Sequence, residues 1–313
     1  MKIININKLT ALIALFIISV IFSTGAEASC RYTAAGLLDT VSGNSAATVH
    51  ETTRGIRTDQ CSDTPSEYEL TFYKLGICTA NTSANNLSSC QYILNTDGGI
   101  THRILKGTTG AMAIPKFAIE PGTYSHMVVL MSNKLGIKHS FTATNSVTGV
   151  GSSAGTSCWT SGAGPSAFTN EQFTSVHGET IDGELQLITC GTAAASAPVY
   201  SYEVINKLTG EECSDTWVAG GDYFSMGAIG NGSAEVALLN LTDGFATSCE
   251  DAAKILWTTT LTTPYVVTAK SIFQLNMRTT DSVSMDFSSG SGNNNIMKMG
   301  ADPVQLFLAV DPD

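Results

Sequence analysis

From Ser29 onward, the hydrophobic pattern is built from short runs rich in Val, Ile, Tyr, Phe and Thr, set between stretches of Ser, Thr, Asn and Gly. That texture predicts strands and turns. Tyr68–Leu75 alternates imperfectly and reads as a strand running into Cys78, and Gln91–Leu94 resumes after it. Thr123–Met131 and Gly136–Thr144 predict a hairpin turning at Ser132-Asn133-Lys134. Further strands are predicted at Thr180–Thr189, Tyr200–Ile205, Ala234–Leu241, Tyr265–Met277, Ser282–Phe287 and Pro303–Val310. Only Glu250–Leu256 has a helical look, and it is short. The expected fold is therefore all-β: antiparallel β-sandwich or jelly-roll-like lobes with long loops, disulfides and little helix.

The start of the chain has a different pattern. Lys2 and Lys8 precede a nearly unbroken apolar run, Leu9–Phe22, and Ala26-Glu27-Ala28 supplies a small-x-small cleavage site. This reads as a signal peptide over 1–28, too short for a membrane span. A type IV prepilin would need its peptidase site before the apolar run. A lipoprotein would carry an apolar residue where Glu27 stands. The chain from Ser29 shows no second long apolar run, so no membrane span is expected there. Without Lys2, Lys8 and Glu27 it holds 14 basic and 26 acidic residues, a formal net charge of −12. An acidic chain with no basic cluster argues against nucleic acid and anionic membranes as partners.

Eight cysteines lie after the leader: Cys30, Cys61, Cys78, Cys90, Cys158, Cys190, Cys213 and Cys249. An even number in an exported chain reads as disulfides. A metal or thioredoxin-type site would want C-x-x-C, and the nearest pair here, Cys78 and Cys90, has eleven residues between its members. The simplest expectation pairs neighbours: Cys30–Cys61, Cys78–Cys90, Cys158–Cys190 and Cys213–Cys249.

Ile119-Glu120-Pro121-Gly122-Thr123-Tyr124 combines a Pro-Gly turn with a Tyr that opens a strand. This "PGTY" resembles the corner of many extracellular immunoglobulin-like and transthyretin-like sandwiches, a structural cue that implies no activity. Residues 29–148 are read as an N-terminal β lobe, 149–175 as a Gly/Ser-rich connection and 176–313 as a C-terminal β lobe. The rival reading is one large β domain over 29–313 with a long insertion. The tetrapeptide Cys-Ser-Asp-Thr occurs at 61 and again at 213, with diverging flanks that read as chance.

Candidate chemistry is sparse. Gly151-Ser152-Ser153-Ala154-Gly155 matches G-x-S-x-G, but no helix is expected after it, as a nucleophile elbow requires. The histidines His50, His102, His126, His139 and His177 are scattered; His126 and His139, on the two arms of the expected hairpin, allow a two-His metal site only in one register. Asn95–Gly98 and Thr242-Asp243-Gly244 could hold structural calcium, although Asp-Gly is first a turn signal. No cofactor is otherwise expected. Trp159, Trp217 and Trp257 could stack on a glycan, with core packing the competing use. Asn81, Asn86, Asn231 and Asn240 fit the glycosylation pattern.

Charged residues make up only 14% of the chain, against a usual quarter, while apolar ones reach 43%. A surface of Thr, Ser, Asn, Ala and Gly can meet a second copy with little charge to desolvate. The expected function is a secreted, non-enzymatic surface or structural protein that forms a homo-oligomer or polymer: a filament, coat or surface-layer subunit, or an adhesin. The stretch Thr33–Val49, with Leu37, Leu38, Val41 and Val49, is the candidate assembly segment, able to complete a neighbour's sheet. The alternative is a soluble glycan- or surface-binding module, and the third a secreted hydrolase. The place of action would be extracellular, at the cell surface or periplasmic.

Overall fold

A computed structural model describes residues 29–40, 60–82, 86–108, 110–112, 119–150, 153–163, 186–193, 198–205, 224–229, 232–248, 251–287, 295–302 and 304–311. Among these residues there are sixteen strands and no helix. The first eight are β1 (Gln60–Asp63), β2 (Glu67–Cys78), β3 (Cys90–Leu105), β4 (Gly122–Ser132), β5 (Lys134–Lys138), β6 (Ser140–Thr148), β7 (Ala154–Ala163) and β8 (Gln186–Gly191). Then come β9 (Ser201–Val204), β10 (Phe224–Ile229), β11 (Gly232–Leu239), β12 (Lys254–Val267), β13 (Ile272–Arg278), β14 (Val283–Phe287), β15 (Ile296–Ala301) and β16 (Gln305–Asp311). The protein is all-β and its ladders are antiparallel, in a sandwich-like arrangement of one large and three small sheets.

The large sheet is organised about β2. Strand β3 runs along one side of it, and β4 followed by β5 along the other. Beyond β4 lie β12, β11 and β10 in that order, while β9 pairs with β5. The apolar run Met127–Met131 shows why β4 is central. Met127, Val129 and Met131 enter the main core, while Val128 and Leu130 join Leu256, Ala237 and Leu239 in a second cluster on the opposite face. A strand buried on both faces reads as a continuous apolar run instead of alternating. The small sheets β1-β14-β15, β6-β7-β8 and β13-β16 close over the main core; Phe141 and Phe287 meet edge to face there, 6.1 Å between ring centres.

Three sequence expectations are corrected. Tyr265–Met277, expected as one strand, is the end of β12 and most of β13 with a turn at 268–271 between them, closed by the Ser271 N–H donating to Thr268 O. Residues 251–256 are not helical: Asp251 lies in a turn and β12 begins at Lys254. Ile255 and Trp257 face the main core and Leu256 the second cluster, so both sides of this segment are apolar because both are covered. Ser132-Asn133-Lys134 is likewise no hairpin. Strands β4 and β5 both run antiparallel to β2, which makes them one line broken by a step. Asn133 holds that step. Its backbone N–H donates to Ala253 O, and its side-chain amide donates to Ala252 O at 2.9 Å and Ile205 O at 3.2 Å.

The PGTY corner is formed. The Tyr124 hydroxyl donates to Glu120 O (2.7 Å) and accepts from the Gln91 side chain, whose oxygen takes the Glu120 N–H. Within the Gly/Ser-rich stretch, Ala154–Ala163 is strand β7, the middle member of its sheet.

Candidate functional site

Residues 29–40 form a strap that folds back on itself. Thr33 N–H donates to Leu37 O and Gly36 N–H to Thr33 O, with Gly36 at φ +74°, where a side chain would be strained. The disulfide Cys30–Cys61 ties the strap to β1. At its other end Leu38, fully buried, docks in parallel on β6: Leu38 N–H donates to Thr142 O (2.7 Å), and Thr144 N–H donates to Leu38 O (2.9 Å). Of the expected assembly residues, Leu38 is thus in its own chain's core and Leu37 half-exposed; Val41 and Val49 lie outside the described residues.

Between strap and β6–β7 opens a cleft of about 540 Å³, lined by Tyr32, Asp63, Lys106, Ser140, Thr142 and Ser157 among others. Asp63 is its electrostatic centre. The Tyr32 hydroxyl donates to Oδ2, the Thr64 N–H donates to Oδ1 at 2.6 Å, and Nε2 of the buried His139 lies 3.3 Å from Oδ2 in a poorly aligned contact. Burial alone would raise the Asp63 pKa. The pull of His139, then Tyr32 and the Thr64 N–H, overcomes it and holds the carboxyl at about 2. The Tyr32 phenol is pushed upward, first by burial and then by the charge of Asp63. The cleft therefore keeps a fixed carboxylate beside several hydroxyls.

Of the expected disulfides, Cys30–Cys61, Cys78–Cys90 and Cys158–Cys190 are present. The last two join directly opposed residues of neighbouring strands. Cys213 and Cys249 lie outside the described residues. Three disulfides are consistent with an oxidising, extracellular setting. No helix among the described residues is long and apolar enough to cross a membrane.

The remaining candidates fall elsewhere. His126 and His139 sit thirteen positions apart on one continuous strand line, roughly 40 Å at ~3.3 Å per residue, so they do not converge. Burial lowers the pKa of His126 and of His102; His50 and His177 lie outside the described residues. Among those residues no group of three His, Cys, Asp or Glu could hold a metal. Asp243 already holds two ammonium groups, Lys74 at 2.5 Å and Lys254 at 2.6 Å. Asn95–Gly98 lies on β3, where the register against β2 slips. Ser153 accepts the Cys190 N–H (2.9 Å), and a strand, β7, follows it. Trp257 is in the core, Trp159 half-buried, and Trp217 outside the described residues.

The Tyr32–Asp63–His139 grouping was missed by sequence reasoning, since its members come from three separate segments; the repeated Cys-Ser-Asp-Thr was the one hint that touched it. The chain matches no family model, no curated protein and no solved structure.

Proposed function

We propose that this chain is a secreted, non-enzymatic structural subunit that assembles with copies of itself at the cell surface through an open sheet edge. The observation that carries the reading is β3. It is sixteen residues long, and its side away from β2 has no strand partner among the described residues. Its exposed apolar positions Ile100 and Leu105 sit in a chain with few charges to desolvate. An unpaired row of N–H and C=O groups is a template for a further strand. Ser153, the one motif-level catalytic candidate, has a structural use instead, accepting the Cys190 N–H. The strap is a less available donor than β3, because Leu38 is already committed to β6 of its own chain.

The test is the assembly state of the oxidised chain from Ser29, followed by light scattering and negative-stain electron microscopy. The expected result is ordered, concentration-dependent assembly that Ile100→Lys abolishes while leaving the fold intact. A monomer over a wide concentration range would sink the reading. Assembly that survives Ile100→Lys but fails in Leu37→Ala would move the interface to the strap.

A further inference from the structure

The outer face of the β6-β7-β8 sheet has a composition that packing does not require. Register places Ser140 opposite Trp159 and Thr142 opposite Ser157, with Trp159 also opposite Thr189 and Ser157 opposite Gly191. Directly opposed residues share a face, so these side chains form one strip that runs into the Asp63 cleft. The intervening residues, Phe141, Cys158 and Cys190, go the other way into the core. Gly191 lies beneath the Trp159 ring, where a Cβ would come within 3.5 Å of it. The ring is half-buried on the sheet, not sunk in the core.

We propose that this strip and the adjoining cleft bind a neutral saccharide. A pyranose presents hydroxyls that both donate and accept, together with a flat patch of C–H groups. The site offers acceptors (Asp63), a donor (Lys106), amphoteric hydroxyls (Ser140, Thr142) and aromatic surfaces (Trp159, Tyr32). Its volume lies within the range of small-molecule sites, ≈300–1,000 Å³. The disulfides Cys30–Cys61 and Cys158–Cys190 brace the strap and the β7–β8 pair, so little ordering is left for binding to impose. The formal charge of −12 after Ser29 disfavours a polyanionic glycan. The site lies within a single chain and does not depend on self-assembly.

The experiment uses the oxidised chain from Ser29, with chitotriose, cellotriose and mannotriose as separate probes, read by saturation-transfer NMR and tryptophan fluorescence. At least one trisaccharide is expected to bind with a Kd below about 1 mM. Trp159→Ala should weaken that binding tenfold or more, and Lys106→Ala severalfold, with unchanged circular dichroism. Should Trp159→Ala fail to fold, Ser140→Tyr, at an exposed position, fills the cleft and should block binding instead. Absence of saturable binding by all three probes overturns the proposal, as does binding that survives Ser140→Tyr. Assembly is scored separately by light scattering, so either reading can fail alone.

Discussion

At the scale of single residues, two aspartates give the stability of this protein opposite dependences on pH. Asp63 is held at about 2, below its unfolded value. Its contribution is present above about pH 4 and is lost as pH falls from there towards 2. Asp302 moves the other way: burial first, then the charge of Glu203, raise it to about 7 against the pull of Lys298. Between about pH 4 and 7 the folded state binds the extra proton, so stability falls as pH rises through that window, by at most about 1.4 kcal/mol per pH unit. Thermal melts of the native chain from pH 4.5 to 7.5 should therefore slope downward, and Asp302→Asn should flatten that slope. Equal slopes in the two proteins would mean that Asp302 ionises normally. Asn133 acts through hydrogen bonding. Asn133→Ala leaves the Ala252 and Ile205 carbonyls without the donor that now reaches them, and a loss of about 2 kcal/mol is expected in urea denaturation.

At the scale of elements, what was legible in the sequence followed the periodicity. Strands β2, β4, β9, β11, β14 and β16 coincide with runs rich in β-branched and aromatic residues, while the run Tyr265–Met277 hid the turn at 268–271 that separates β12 from β13. The Pro121-Gly122 turn and Tyr124 were legible because they fix a corner locally. Turn reading failed at Asn133, where three polar residues make a step within one line, and the reason is tertiary: the side chain reaches carbonyls on β12's approach and beyond β9. It failed again at Lys254–Trp257, where short apolar spacing imitates a helix because two cores are being filled at once. β7 was hidden by its Gly and Ser content, which a strand tolerates here because its outer face carries hydroxyls. The cleft was illegible for a different reason: Tyr32, Asp63 and His139 come from three separate segments brought together by the Cys30–Cys61 disulfide, the hydrogen bond from the Cys30 N–H to Ser62 O, and the His139–Asp63 contact. The corner itself is open to test. Tyr124→Phe keeps the ring and removes the hydroxyl that links Glu120 and Gln91, so about 1–2 kcal/mol should be lost without a change of fold.

At the scale of the whole molecule, the question is whether residues on either side of 149–175 can fold apart. The large sheet places β4 directly between β2 and β12, so its central strand takes hydrogen bonds from both sides of that stretch. The main core draws on Leu38 and Phe72 as well as Trp257, Met285 and Leu308. Cutting between the two parts would strip the β12 edge from β4, remove part of the apolar cover on both its faces, and leave Val129 and Met131 without Trp257 and Ile255 opposite them. Burial of a single large apolar side chain is worth about 1.5–3 kcal/mol, and a typical domain has only 5–15 kcal/mol in all, so neither piece retains a margin. The oxidised chain from Ser29 should therefore melt in a single calorimetric transition, with calorimetric and van't Hoff enthalpies equal. Residues 29–148 expressed alone should lack a cooperative transition. Two resolved transitions in the intact chain, or a cooperatively melting 29–148 fragment, would show that the lobes are independent and that the β4–β12 ladder is a docking contact made after each has folded.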